Sequence, residues 1–324
     1  MTSINVNLTR RGALLGGGGL IIGAGMAITA GPAFAAAEQQ GEMVRPVARF
    51  MVGDFEVTTL LDGAVTVGEP QNTFGMNVDA DTFAATSADN FIPADTFKAF
   101  FTPTVVNTGS ELILFDTGVG EGGRPARGNM RAALQSAGYS PEQVDVVVLT
   151  HMHPDHIGGL MEAGAPAFPN ARYVTGRAEY DFWAPMDPGS NGVARLVAQN
   201  VVPIAGNMTF LEDGGSVAPG VTAMAAFGHT PGHMTYMLES NGQQLLLVAD
   251  MANHYVWSLA KPDWEVRFDM DKEAAAATRR RVLAMLAADR LPFVGYHMPF
   301  PAAGYVEVDG NGFRYVPVSY QLSL

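Results

Sequence analysis

The chain contains no cysteine. That excludes disulfides, thiolate metal ligands and cysteine nucleophiles, so any metal site must be built from His, Asp or Glu. Basic residues are also scarce: Lys and Arg number 19 against 32 Asp and Glu, a net charge of −13. Such an excess of negative charge repels phosphate backbones and anionic headgroups, so neither nucleic acid nor a membrane surface is an expected partner. Charged residues make up only 16% of the 324 residues while 48% are hydrophobic. This balance excludes the disordered and coiled-coil classes and supplies enough apolar side chain for a sizeable core.

Residues 1–35 hold no acid at all, carry Thr9-Arg10-Arg11-Gly12, run through a mildly apolar stretch to Thr29, and end in Ala33-Phe34-Ala35. A basic region, an apolar region and a small-residue cleavage site in that order are the marks of an export signal. Gly16 to Gly19, Gly23, Gly25 and Gly31 dilute the hydrophobicity below what a stable membrane span needs. The paired arginines resemble a twin-arginine signal. The expectation is therefore a signal peptide over 1–35 and a mature domain over 36–324, periplasmic or secreted and free of the membrane once cleaved.

From Phe50 onward the pattern predicts mixed α/β structure in one domain. Phe50–Val52 and Phe55–Leu61 form a hairpin about Gly53-Asp54, and a second hairpin turns near Asn107-Thr108-Gly109-Ser110. Its outgoing arm, Leu112-Ile113-Leu114-Phe115, reads as a strand buried on both faces, as does Val144 to Thr150 after a helix over Asn129 to Ala137. Later, Met234–Leu238 and Gln244–Val248 flank Ser240-Asn241-Gly242, which suits a type I′ turn. Asp271 is placed to cap a helix from Lys272 to about Ala288, and the last hairpin turns at Asp309-Gly310-Asn311-Gly312. Residues 62–104 are less regular, with six scattered phenylalanines that either cover a pocket or build a satellite core.

Three of the seven histidines fall in Thr150-His151-Met152-His153-Pro154-Asp155-His156-Ile157-Gly158-Gly159. The cluster follows a buried strand, where open α/β sheets place their ligand sites. Pro154 excludes a helix running through the cluster, and His at i and i+2 would not share a helical face. A loop can instead aim His151 and His153 at one cation and Asp155 and His156 at a second. Further ligands stand at later strand ends: His229 and His233 in Gly228-His229-Thr230-Pro231-Gly232-His233 after Val221–Phe227, Asp250 after Leu245–Val248, and His297 after Phe293–Tyr296.

With these motifs the chain resembles the metallo-β-lactamase superfamily, whose H-x-H-x-D-H signature stands at His151, His153, Asp155 and His156. The segments Met51–Val57, Thr150–Met161, Gly228–His233 and Gly312–Val318 are similar to the branch that contains methyl parathion hydrolase and quorum-quenching lactonase-like relatives. The resemblance covers nearly the whole mature chain. It implies an αββα sandwich with two metals between the sheets. It further implies His151, His153 and His229 on the first metal, Asp155, His156 and His297 on the second, Asp250 bridging, His233 in support, and Asp116 orienting the metal loop. The missing thiolate and the presence of Asp250 argue against β-lactamase activity. Small lactonases of the superfamily place a Tyr three residues after the bridging Asp; here Asn253 stands there, followed by His254 and Tyr255, either of which can reach the substrate oxygen or simply pack, with His254 the candidate catalytic group.

Two divalent ions lower the pKa of a bridging water toward 7, so a metal-bridging hydroxide can attack without a side-chain nucleophile. Asp155, a ligand with a spare oxygen, can pass the proton to the leaving group. Oxygen and nitrogen ligands admit Zn²⁺, Mn²⁺, Co²⁺ or Fe²⁺, with zinc the default. The expected function is hydrolysis of a lactone or carboxylic ester, with organophosphate triesters as the alternative substrate. A mononuclear iron oxidoreductase of the persulfide dioxygenase type and a non-catalytic metal-binding export protein are more remote. The expected partner is thus a small molecule, in a pocket walled by Phe182, Trp183, Trp257 and some of Phe97, Phe100 and Phe101; homodimerisation is also allowed.

Overall fold

Two sheets carry the molecule, and each follows the order of the chain. In the computed structural model, which describes residues 45–318, the first sheet joins β1 (Val47–Val52), β2 (Phe55–Leu60), β3 (Thr104–Asn107), β4 (Leu112–Phe115), β5 (Val146–Leu149), β6 (Arg172–Gly176) and β7 (Met208–Leu211). The second joins β8 (Ser216–Ala218), β9 (Val221–Ala225), β10 (Met234–Ser240), β11 (Gln243–Ala249), β12 (Phe293–Gly295), β13 (Ala303–Asp309) and β14 (Gly312–Pro317). The expected signal peptide over 1–35 lies outside the described residues. Among the described residues no helix is long and apolar enough to cross a membrane.

Strand alternation builds the layers. In β5, Val146 and Val148 belong to the buried cluster that also holds Tyr236, Leu245 and Leu247 of the second sheet, while Val147 and Leu149 belong to the other cluster, with Leu134 and Val197. Those two residues belong to the helices Met130–Ser136 and Gly192–Asn200. A helix of the opposite layer, Lys272–Asp289, places Val282, Leu283 and Leu286 on the second sheet. The result is the expected αββα sandwich. Because β4, β5 and β6 are parallel neighbours covered on both faces, they read as continuous apolar runs rather than alternating ones. Truncating a fully buried member such as Leu149 to Ala would cost about 2–5 kcal/mol.

Local signals act as the sequence suggests. Asn241 and Gly242 both take positive φ, 48° and 75°, the requirement of a type I′ turn. Asp271 accepts a hydrogen bond from the Ala274 amide and so caps the Lys272–Asp289 helix. Two differences stand out. Pro154 keeps a helix from running through the whole cluster, as expected, but it also opens one: it sits at the first position of a one-turn helix, Pro154–Ile157, where its missing N–H and fixed φ are an advantage. Residues 62–104 are also more regular than their composition suggests, with a two-stranded sheet (Gly63–Gly68 with Thr96–Phe101) and a helix, Ala80–Asp89. Phe74 and Phe83 from this stretch pack on Trp257 and Trp264 in a separate cluster, so the satellite-core reading holds for them. Trp257 is almost wholly buried there, which removes it from the expected pocket wall.

Candidate metal centre

The site lies at the carboxyl ends of the central strands of both sheets. His151 follows β5, Asp116 follows β4, Asp250 follows β11 and His297 follows β12. Two of these ends are strained: Asp116 and Ala249, neither a glycine, have φ of 60° and 46°. Left-handed backbone at ordinary residues costs about 1–3 kcal/mol and persists only where surrounding contacts enforce it. Asp116 has such contacts. Its Oδ1 accepts from the Thr150 amide at 2.9 Å, and its Oδ2 accepts from the Thr150 hydroxyl and from His156 Nδ1, both at 2.8 Å. Gly158, after the one-turn helix, lies so close to the Val119 carbonyl that a Cβ there would come within 2.1 Å of its oxygen. The loop is therefore seated directly on neighbouring backbone.

The seven residues expected on the metals fall into two quartets that share Asp250. His151, His153, His229 and Asp250 form one; Asp155, His156, His297 and Asp250 form the other, with one ligand atom of each residue within 4.8 Å of the rest. In the first, His229 Nε2 lies 2.9 Å from His153 Nδ1 and 3.4 Å from Asp250 Oδ2. In the second, His156 Nε2 lies 3.3 Å from Asp250 Oδ1 and 3.5 Å from Asp155 Oδ2, and His297 Nε2 lies 3.1 Å from Asp250 Oδ2.

The ring protons can be deduced from the outer partners. His156 Nδ1 meets the Asp116 carboxylate, His229 Nδ1 meets Asp269 Oδ1 at 2.9 Å, and His297 Nδ1 meets the Phe100 carbonyl at 2.7 Å. Those oxygens only accept, so each Nδ1 carries the hydrogen and each Nε2 presents a lone pair inward. His151 follows by one more step. Thr150 spends its hydroxyl hydrogen on Asp116, so at 3.1 Å it accepts from His151 Nδ1. His151 Nε2, His156 Nε2 and Asp250 Oδ1 are buried acceptors without a hydrogen-bond partner. Unpartnered buried acceptors are costly, and converging lone pairs of nitrogen and carboxylate oxygen are the donor set a divalent cation takes. The residues fit two such ions.

Charge follows burial and neighbours. Burial disfavours charge on His151, which is held well below its ordinary pKa, and on His153, pushed down to about 3. Burial acts the same way on His156 and His297, but Asp250 and Asp155 outweigh it and raise both. The carboxylates thus call for positive charge at the centre, and protons compete with cations for those two rings.

The remaining expected residues have other places. His233 Nε2 accepts the Asp250 amide at 3.1 Å, a contact that holds the backbone from which the carboxylate projects and is compatible with a supporting role. Asn253 donates to Asp250 Oδ2 at 2.9 Å. His254 belongs to neither quartet: it stacks on Trp257 at 4.0 Å, and its Nδ1 accepts the Val256 and Trp257 amides. Tyr255 is half-buried near Tyr315. Beside His153 runs a groove of about 540 Å³ lined by Trp183, Val193, Leu196 and Met270, with Arg195 at its polar side. Phe101 packs edge-on against His297.

Three supporting residues escape the motif reading. Asp269 accepts from His229 and also from Arg279 Nη2 at 2.7 Å. Arg279 is fully buried and also donates to the Met251 and Pro262 carbonyls, so it ties the chain just after Asp250 to the partner of His229. Asp62 accepts the amides of Val119, Gly128 and Met130 and so fixes the loop beyond Asp116. Only Arg279 leaves a trace in sequence: it stands in the apolar helix stripe Ala275, Val282, Leu283, Leu286, where an unpaired charge would be untenable.

Comparisons with known proteins bear on the family and the fold. An N-acyl homoserine lactonase of Bacillus cereus is 28% identical over 121 residues, which is 37% of this chain and 43% of that protein. The N-acyl homoserine lactonase AttM of Agrobacterium fabrum is 29% identical over 126 residues, 37% of this chain and 45% of its own. The chain thus matches under half the length of these relatives. Among solved structures, AidC, a dizinc quorum-quenching lactonase in complex with a product, superposes with a TM-score of 0.78 at 26% identity, covering 85% of this chain and 98% of that one. The hydrolase AbOPH of the beta lactamase superfamily superposes at 0.79 with 25% identity, covering 86% and 99%. Residues 102–293, more than half of the sequence, match the family described as the metallo-beta-lactamase superfamily, and the chain belongs to that superfamily.

Proposed function

We propose that this protein is a hydrolase that uses two divalent cations to open a lactone or cleave a carboxylic ester. The observation that carries the reading is the pair of quartets meeting at Asp250, with ring lone pairs aimed inward by fixed outer partners. His151, His153, His229 and Asp250 would hold one cation, and Asp155, His156, His297 and Asp250 the other. Cations bound there polarise the oxygen of the attacked carbonyl and lower the pKa of water toward 7. Zinc suits the nitrogen-rich donor set. A complete second quartet argues against a single-iron oxidoreductase.

The chain's own groups supply the rest. Asp155 turns Oδ2 to His297 and His156, and its other oxygen is proposed to carry a proton to the departing alkoxide. The apolar groove beside His153 suits an acyl chain. His254 is neutral, pushed down to about 3 by burial. Since its Nδ1 accepts two amides, its Nε2–H is the available donor, and a catalytic role would be as a hydrogen-bond donor rather than a base. The lactonase relatives favour lactones over phosphotriesters. The leader over 1–35 is proposed to export the domain to the periplasm or beyond.

Rates of the metal-loaded protein with N-acyl homoserine lactones, aryl esters and a methyl phosphotriester test this reading. The lactones or esters should give the highest kcat/KM, and activity should vanish with chelator and return with Zn²⁺. A phosphotriester turned over faster than every lactone and ester would replace the substrate assignment.

A further inference from the structure

Outside the metal quartets, one carboxylate makes four hydrogen bonds in full burial. Glu179 lies in the helix Arg177–Trp183 and is inaccessible to solvent. Its Oε1 accepts the Met152 amide and the Trp183 indole N–H, both at 2.9 Å. Its Oε2 accepts the Thr230 hydroxyl at 2.7 Å and the Gly232 amide at 2.9 Å. Met152 stands between His151 and His153, and Thr230 follows His229, so the three histidines of one quartet are carried by two segments that meet on this side chain. Gly232 is pressed to the same helix: a Cβ there would lie 2.0 Å from the Glu179 amide nitrogen.

Resting on the two-cation reading above, we infer that Glu179 is a positioning residue for the quartet of His151, His153 and His229, fixing the turn that carries His229 against the loop that carries the other two. Of its four donors, three are N–H groups that cannot reverse: Met152, Trp183 and Gly232. The Thr230 hydroxyl can. A glutamine at 179 therefore has one tolerable orientation. Its oxygen replaces Oε1 and keeps Met152 and Trp183, while its NH₂ donates to Thr230 and confronts the Gly232 N–H, donor against donor. The damage falls on the His229 turn, and the Trp183 wall of the groove is spared.

The test uses Co²⁺ as the probe, titrated into the metal-free full chain with bound ions counted and the visible absorption followed. Glu179→Gln should leave the quartet of Asp155, His156 and His297 at its original affinity and weaken the other about ten- to a hundredfold, the range for groups that orient metal-binding histidines. A background of Asp155→Ala with His297→Ala identifies the weakened quartet: the one ion it still holds should be lost on adding Glu179→Gln. Tryptophan emission should hardly change. Equal weakening of both quartets, or of neither, overturns the inference. If Glu179→Gln does not fold, Thr230→Val, which removes one donor and creates no clash, decides the matter by a severalfold loss confined to the His229 quartet; no loss there overturns it. The ion count involves no substrate, so failure to hydrolyse lactones or esters would count against the function and not against this role, whereas an unaltered chain binding fewer than two Co²⁺ would remove the two-cation premise.

Discussion

The two sheets contribute to the centre in different ways. The first delivers His151, His153, Asp155 and His156 from one six-residue loop, and a single carboxylate, Asp116, sets the ring orientation of His156 and, through Thr150, of His151. The second delivers His229, Asp250 and His297 singly from three strand ends, each with its own support: Asp269, His233 with Asn253, and the Phe100 carbonyl. In the concentrated first half the ring orientations of His151 and His156 hang on one outer carboxylate, whereas in the distributed second half the ligands are set one by one by separate partners.

The largest effect should come from the one residue that both quartets share. Asp250→Ala should lower metal content by both ions and turnover by about 10³-fold, since several kcal/mol of charge stabilisation are removed at 1.4 kcal/mol per decade. Elemental analysis finding one tightly held ion, unchanged in the variant, would break the shared-carboxylate picture.

Asp116→Asn probes the concentrated half. Whichever way the amide turns, its NH₂ faces either the Thr150 amide or the His156 ring N–H, so one donor meets another in the group that orients this loop. Metal affinity should fall about ten- to a hundredfold, measured by competition with a chromophoric chelator. Wild-type affinity would mean that the His151–His156 loop holds its shape unaided.

In the distributed half, His229→Ala should cost one ion. His233→Ala should keep both and lose about 1–3 kcal/mol of stability, because the Asp250 amide loses its buried acceptor. Ion counts and denaturant titrations separate the two. Equal loss of metal would exchange their roles.

The smallest effect concerns His254. Its folded pKa of about 3 lies below the ordinary value of 6.5, so between those values the unfolded chain binds the proton more readily. The stability from its neutral burial is fully present above pH 6.5 and lost as pH falls toward 3, by up to about 1.4 kcal/mol per pH unit. Unfolding titrations of His254→Phe should therefore show a shallower decline below pH 6. An unchanged slope would show that other histidines carry the acid sensitivity.

The same contrast explains what was legible in the sequence. The loop His151–His156 could be read because its ligands are adjacent, and the strands around it because parallel strands covered on both faces are uninterrupted apolar runs. Asp250 and His297 became candidates only because each ends such a run. Glu179, Asp269 and Asp62 were not legible, since the site segments they hold lie 27 to 68 residues away in sequence and are held mostly through backbone amides and a ring nitrogen, which leave no residue pattern. The short helical turn that starts at Pro154 is not legible beforehand, because proline breaks helices internally and also begins them well. The assignment of Trp257 to the pocket failed because an aromatic side chain reads alike in a wall and in a core.

Gly158 bears on how this protein can change. Because the metal-bearing loop rests on neighbouring backbone at that point, its shape cannot drift by small adjustments of side chains, and almost any residue added there would have to move two segments together. The groove wall has no such constraint: Val193, Leu196 and Met270 are partly or largely exposed side chains on an outer helix and a loop. New substrate preferences can therefore arise there by single substitutions while the reacting centre stays fixed, which makes the wall the natural place to begin directed evolution.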